Sequence, residues 1–279
     1  MEIKIVDNQK IKMVDELNQL ISISERINIA VAFAKKAGFL RIKESLKRFF
    51  EKKGEAIFLL GLDFHTTDPE TLWELIYLSE SGFNIRTFCY SGNLEGTATY
   101  HPKLYIFEQA NKIASYIVGS SNLTNNGLER NIEINVEITS PVYEEHFSDV
   151  MELFNKLKVT ERRIAPNREY IEKYSEVFEE SNKGREILKT KSYRELKELE
   201  KELPTPKITS ADLYGWMRLV YDCLPNEEFS TTQIYSFRNE FKQKYPNNLN
   251  IDAKIRQQLQ FLEKFGLIEK IDRNLWRKL

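Results

Sequence analysis

His101-Pro102-Lys103-Leu104-Tyr105-Ile106-Phe107 reads as one strand, and Val118-Gly119-Ser120-Ser121-Asn122 closes the next strand in a polar turn. Residues two apart on a strand leave the same face of a sheet, so His101 and Lys103 are expected side by side. The Gly-Ser-Ser-Asn turn offers Ser120 and Asn122 beside them. A further strand, Ile132 to Ile138, brings Glu133 to its edge. Imidazole, ammonium, amide and carboxylate together suit attack on phosphorus. A histidine supplies the nucleophile, a lysine and an amide bind the non-bridging oxygens, and a carboxylate orients the imidazole.

Around this core the chain alternates apolar strands with amphipathic helices. Ile27 to Ala34 and Ala56 to Gly61 read as buried strands, with a helix from Phe39 to Phe50 between them. Asp68-Pro69-Glu70 opens a helix to about Ser81, with aspartate at the N-cap, proline at the first position and an acidic first turn. Gly82 closes it, and Asn84 to Tyr90, Tyr100 to Glu108 and Ala114 to Val118 are strands. This order predicts an α/β layered domain.

The elements His101-x-Lys103, Gly119-Ser120-x-Asn122 and Asn131-x-Glu133, in that order, resemble those of the phospholipase D superfamily. One departure is visible: the aspartate that usually follows the lysine is replaced by Glu108, which favours a nuclease branch over a lipid enzyme. The resemblance implies that His101 forms a phosphohistidine, that Lys103, Ser120 and Asn122 complete the centre, and that Glu133 orients the imidazole. It also implies a homodimer, because the motif occurs once while the reaction needs one neutral and one protonated histidine. Such a centre uses no metal and no cofactor. No D-x-n-E-x-K cluster or His/Cys metal spacing stands out. His65 and His146 lie outside any matching motif and read as surface or satisfied residues.

Three segments are expected: a phospholipase D-like domain over 1–157, a charged helical linker over 158–207, and a winged helix-turn-helix domain over 208–279. The linker is dense in charge, as in Arg168 to Glu180 and Ser192 to Glu202, and ends at Pro204-Thr205-Pro206. It reads as solvated spacer helices, or as a cover over part of the first domain or its active site. In the third segment, helices at Asp212–Cys223, Thr231–Lys244 and Ile251–Phe265 precede two short strands, Leu267–Ile271 and Leu275–Leu279. Ile255, Leu259, Leu262 and Phe265 form the core stripe of the last helix. Its other face is expected to present Lys254, Arg256, Gln257, Gln258 and Gln260, side chains suited to base edges in a major groove. Asn248 and Asn250, in Pro246 to Asn250, lie at the helix start nearest the bases. Arg273, Arg277 and Lys278 in the wing are expected to hold phosphates. The string Ile255-Arg256-Gln257-Gln258-Leu259-Gln260 through Gly266-Leu267-Ile268 resembles the C-terminal winged-helix module of DpnI-like restriction endonucleases.

The 279 residues carry 41 basic and 42 acidic side chains, a net charge of -1, which excludes a polycation and confines nucleic-acid contact to local faces. A hydrophobic fraction of 41% supports real cores. Cys89 and Cys223 lie far apart and read as reduced intracellular thiols. The N-terminus has no signal-peptide pattern and no apolar run could span a bilayer, so a cytoplasmic protein without a membrane partner is expected. Together these readings describe a metal-independent restriction-type endonuclease similar to the BfiI and NgoFVII types. Double-stranded DNA is the substrate and a cognate methyltransferase a possible partner. The alternatives are a phospholipase D-type lipid phosphodiesterase and a non-catalytic DNA-binding regulator.

Overall fold

The computed structural model describes residues 1–91, 99–159, 163–183, 190–246 and 248–279. The chain runs β1 (Glu2–Val6), α1 (Met13–Ile23), β2 (Arg26–Val31), α2 (Lys36–Glu51), β3 (Glu55–Gly61), α3 (Pro69–Glu80) and β4 (Ile85–Tyr90). It continues through β5 (Lys103–Glu108), β6 (Ile113–Gly119), β7 (Asn135–Pro141), α4 (Glu145–Val159), β8 (Arg163–Ile164), α5 (Arg168–Asn182) and α6 (Lys191–Glu202). Last come α7 (Gly215–Asp222), β9 (Phe229–Ser230), α8 (Thr231–Ile234), α9 (Arg238–Lys244), α10 (Ile251–Lys264), β10 (Ile268–Asp272) and β11 (Leu275–Lys278).

Two compact units result: residues 1–141 with 161–206, and residues 142–160 with 207–279. The first is built on an 8-stranded sheet in the order β1-β7-β6-β5-β2-β3-β4-β8. Strands β2, β3 and β4 are parallel, and the other pairings are antiparallel. The run Ala56–Leu60, and Ile27–Val31 with Asn28 as its one polar member, form the parallel centre because both faces there are covered. The register sets Val31 opposite Lys103, Leu104 opposite Val118 and Gly119 opposite Asn135. One end of the sheet thus gathers the exits of β2 and β6 and the starts of β5 and β7.

Several boundaries differ from the sequence reading. β1 and α1 were not anticipated, although Glu2-Ile3-Lys4-Ile5-Val6 has the period of a strand. β5 begins at Lys103, so His101 precedes the strand rather than lying on it. Pro102 lacks an N–H for the ladder, and its carbonyl accepts from Ala32 N at 2.9 Å. β7 begins at Asn135, leaving Glu133 on the approach to it. Asp68 precedes Pro69 as expected, but its carboxylate accepts from Lys35 Nζ and Lys36 N instead of capping α3.

The division of the chain also differs from the expected boundaries. The segment read as a solvated linker contributes β8, α5 and α6 to the first unit. Tyr170, Ile171, Tyr174 and Val177 form a helical stripe inside its core, joined by Leu196. Burying Ile171 and Val177 contributes roughly 1.5–3 kcal/mol each, which offsets the solvation preference of the charged face. Residues 160–162 and 184–189 of that segment lie outside the described residues. Helix α4, expected in the first domain, groups with the second unit. There Lys158 is fully buried against Asp212, with Nζ 2.8 Å from Oδ1.

The second unit is a winged helix. α7, α8, α9 and α10 enclose a core around Trp216, Phe229, Phe241, Ile255, Leu259 and Trp276. The helix expected over Thr231–Lys244 is broken by a tight turn at Tyr235–Phe237. The wing is a 3-stranded sheet in the order β10-β11-β9. Gly266, with φ of 70°, ends α10 in the left-handed conformation that a side chain would resist.

Candidate active site and nucleic-acid interface

The sheet register brings the motif residues of the first unit together. Lys103 Nζ lies 2.7 Å from Nδ1 and 3.0 Å from Nε2 of His101, and donates to the His101 carbonyl at 3.0 Å. The His101 ring meets Phe33 edge-on, with centroids 5.5 Å apart. His101 is exposed, whereas Lys103 is 7% exposed. Burial and the Lys103 ammonium push the imidazole pKa below its ordinary value, which favours the neutral ring. Burial also lowers the Lys103 pKa, opposed by the Glu133 carboxylate.

The Gly-Ser-Ser-Asn turn is held by its neighbours. A Cβ on Gly119 would lie 2.3 Å from the Ile134 carbonyl oxygen, so only glycine lets these backbones meet. Ser120 Oγ donates to Glu133 Oε2 and accepts from Ile134 N at 3.0 Å. Asn122 Oδ1 accepts from Phe33 N at 3.0 Å, tying the turn to the end of β2. Glu133 therefore belongs to the cluster. Its oxygens, however, accept from Ser120 and from Asn131 Nδ2 at 3.1 Å, and its charge acts on Lys103 rather than bonding the imidazole.

Two supports escaped the sequence reading. Asn135, only 1% exposed, accepts from Ser121 N at 3.1 Å and donates to Ser121 Oγ at 2.9 Å. Tyr105 OH donates to the Ser121 carbonyl at 3.0 Å. The sequence carried no signal for Asn135, which falls among the polar positions of the Ile132 to Ile138 alternation with Glu133 and Glu137. Beside the cluster runs an open groove of about 590 Å³ lined by Phe33, Lys35, Asn122, Thr124, Asn131 and Glu133, among others. Among the described residues, no three His, Cys, Asp or Glu side chains form a metal-ligand group.

In the winged helix, Arg256, Gln257 and Gln260 lie on the exposed face of α10, and Asn250 is exposed at its start. Arg256 Nη1 donates to Tyr235 OH at 2.9 Å. Asn248 is half-buried, and its Oδ1 accepts from Asn250 N at 2.9 Å; Asn247 lies outside the described residues. Gln258 corrects the expectation, because it is 0% exposed. It falls three residues after Ile255 and four before Leu262, so helical geometry turns it into the core stripe. Lys254 is largely covered, with Nζ 4.0 Å from Asp149.

The wing is less open to phosphates than its sequence suggests. Arg277 is held between Glu228 and Glu269 at 2.6 and 2.9 Å, and the Lys278 ammonium lies 4.2 Å from the Tyr221 ring centroid. Arg273 is exposed. Tyr235 and Arg238 were not anticipated; the Arg238 guanidinium lies 4.9 Å from the Tyr235 ring centroid and pairs with Asp252.

A layered α/β sheet with His, Lys, Ser, Asn and Glu gathered at one end defines a site suited to phosphorus chemistry. The family model described as "Cardiolipin synthase, PLD-like domain" matches residues 12–158, and the chain belongs to this phospholipase D-like family. A second model, "Dam-replacing HTH domain", matches residues 212–278, so a DpnI-type winged helix follows. Among solved structures, NucT from Helicobacter pylori is similar at 16% identity and TM-score 0.43, over 56% of this chain and 94% of that one. Nuc from Salmonella typhimurium, a phospholipase D family member, aligns at 15% identity and TM-score 0.42, over 56% and 92%. Phosphatidylserine synthase from Haemophilus influenzae aligns at 11% identity and TM-score 0.46, over 72% and 48%. No curated protein sequence matches the chain.

Proposed function

We propose that this protein is a restriction-type DNA endonuclease that cleaves phosphodiester bonds without a metal ion, at a composite centre shared by two copies of the chain. The observation that carries the reading is the convergence of His101, Lys103, Ser120, Asn122 and Glu133 at one end of the sheet. The neutral imidazole of one His101 attacks phosphorus. A P–N bond forms as the P–O bond to the leaving group breaks. The His101 of the second copy, as imidazolium, gives its proton to the departing oxygen. That imidazole then takes a proton from water, whose oxygen attacks phosphorus and breaks the P–N bond. Lys103 and the Asn122 amide stabilise the charge on the non-bridging oxygens. Glu133 fixes Ser120 and sustains the charge on Lys103.

A surface beside the site supports pairing of identical chains. Ile3, Ile5, Val118, Ile132 and Ile134 are between 47% and 82% exposed. Ile3 and Ile5 lie on the edge strand β1, and Val118, Ile132 and Ile134 flank Ser120 and Glu133. Large apolar side chains grouped in this way mark an association surface. A second copy seated there supplies the missing histidine under two-fold symmetry.

The winged helix selects the site, with Arg256, Gln257, Gln260 and Asn250 toward base edges and Arg273 toward phosphates. Double-stranded DNA is thus the partner, with a methyltransferase as possible companion. The free thiols of Cys89 and Cys223 fit a cytoplasmic setting. No helix among the described residues is long and apolar enough to cross a membrane. The test is digestion of supercoiled plasmid, modified and unmodified, in excess EDTA. Cleavage through a nicked intermediate is expected. Strict dependence on added magnesium, or turnover of phosphatidylcholine but not DNA, would overturn the reading.

A further inference from the structure

The turn between β3 and α3 is strained at a place the mechanism above does not use. Phe64 and His65 are consecutive non-glycine residues with φ of 58° and 51°. Side chains rarely enter this left-handed region, and such conformations persist only where the surroundings enforce them. Here Thr66 Oγ1 donates to the Asp63 carbonyl at 3.1 Å and Thr67 Oγ1 to the Gly61 carbonyl at 2.6 Å. Tyr174 OH donates to the Thr67 carbonyl at 2.8 Å, and the His65 ring packs between Tyr174 and Tyr193.

The enforced turn reaches both chain segments that carry the site. Thr67 Oγ1 accepts from Ala34 N at 3.2 Å, next to Phe33, whose own N–H is held by Asn122. Asp63 Oδ2 accepts from Tyr100 N at 2.9 Å, one residue before His101. Tyr100 is fixed on its other sides as well. Its hydroxyl donates to the Leu59 carbonyl at 3.3 Å, and its ring stacks on Tyr90 with centroids 5.2 Å apart. The Arg163 guanidinium lies 4.1 Å from the Tyr90 centroid and 4.7 Å from that of Tyr100. Since His101 precedes β5, no ladder bond of its own strand holds it. It is held instead through its neighbours: the Pro102 carbonyl accepts from Ala32 N after it, and Tyr100 N is seated on Asp63 before it.

We propose that Asp63 is a positioning residue for His101: its carboxylate, seated on the Tyr100 N–H, fixes the direction in which the chain presents the imidazole to Lys103. The proposal rests on His101 being the nucleophile. The charged groups around the imidazole are Lys103 on β5, Glu133 acting on Lys103 from the approach to β7, and Asp63 with Arg163 around Tyr100. Releasing Tyr100 lets the imidazole swing away from the ammonium. Burial and that ammonium both depress its pKa, so release raises it toward the ordinary value. The acid limb of the rate profile, where the neutral nucleophile is lost, then moves to higher pH.

The experiment compares the full-length parent with Asp63→Ala, Asp63→Asn and His101→Ala, measuring kcat, KM and thermal midpoint on plasmid DNA in chelator across pH. Asp63→Ala is expected to lower kcat by about tenfold or more, with KM nearly unchanged, since small misplacements of a reacting group cost that much. Its acid limb should shift upward. Asp63→Asn keeps an oxygen for the Tyr100 N–H and should restore both. Should Asp63→Ala not fold, Asp63→Ser, too short to reach Tyr100 N, takes its place. An Asp63→Ala enzyme with the parent's kcat and pH profile, or an Asp63→Asn enzyme equally impaired, overturns the proposal. Activity in His101→Ala would instead overturn the function on which it rests.

Discussion

Replacing Lys103 by methionine probes the electrostatics of the site. The side chain is 7% exposed, and its ammonium lies 2.7 and 3.0 Å from the two imidazole nitrogens. Three consequences follow from removing the charge while keeping the length. A preorganised donor to the non-bridging oxygens is lost, which costs at least ~10²-fold in kcat, or about 2.7 kcal/mol of barrier. Next, the imidazole is freed from one of the two causes that depress its pKa. Neutral imidazole then disappears at a higher pH on acidification, so the acid limb moves upward toward the ordinary histidine range. Finally, stability is held or improved, because burial already penalises this ammonium and methionine fills the same space. Single-turnover nicking of supercoiled plasmid across pH, paired with thermal unfolding, reads all three. A Lys103→Met enzyme with the parent's rate, or a slow enzyme whose acid limb moves downward, would rule out this role for the ammonium.

Other expectations follow from particular side chains. Gln258→Met should leave DNA affinity unchanged and be neutral or stabilising by up to about 1–3 kcal/mol, since it removes a buried amide oxygen that has no hydrogen-bond partner; loss of DNA binding in a gel-shift titration would contradict its place in the core. Arg256→Ala should cost about 1–3 kcal/mol of discrimination between cognate and mismatched DNA while kcat on the cognate site is retained. Burial beside Glu16 pushes the Glu137 pKa up to about 7. The folded state therefore binds this proton more tightly than the unfolded chain, and stability falls as pH rises from the ordinary carboxylate range through about 7. Glu137→Gln should flatten that slope in denaturant titrations at a series of pH values, and an unchanged slope would contradict the assignment.

Much of the α/β architecture was legible because central strands are apolar runs and helices carry stripes, as in Ala56–Leu60 and the helix starting at Pro69. What escaped has identifiable physical causes. Glu2 to Val6 alternates as a strand should, yet its exposed isoleucines hide which face is buried. In α5, glutamates with Arg168 and Lys173 mask the stripe of Tyr170, Ile171, Tyr174 and Val177, so a core helix resembles a spacer. The candidate site was legible as residue types in order, but not as a network. Asn135 and Tyr105 hold the turn through hydrogen bonds that depend on sheet register, and Asp63 reaches Tyr100 from a turn remote in sequence. Gln258 shows the opposite error: residue chemistry suggested an interface where helical period dictated burial.

In the proposed mechanism His101 becomes covalently bound to phosphorus during cleavage. Rapid alkaline quenching of the enzyme on DNA, followed by peptide mass spectrometry, tests it most directly. A phosphoramidate adduct on His101, absent in His101→Ala and formed in the presence of chelator, is the result predicted. Cleavage that proceeds with no adduct on any histidine at any time point would contradict the account.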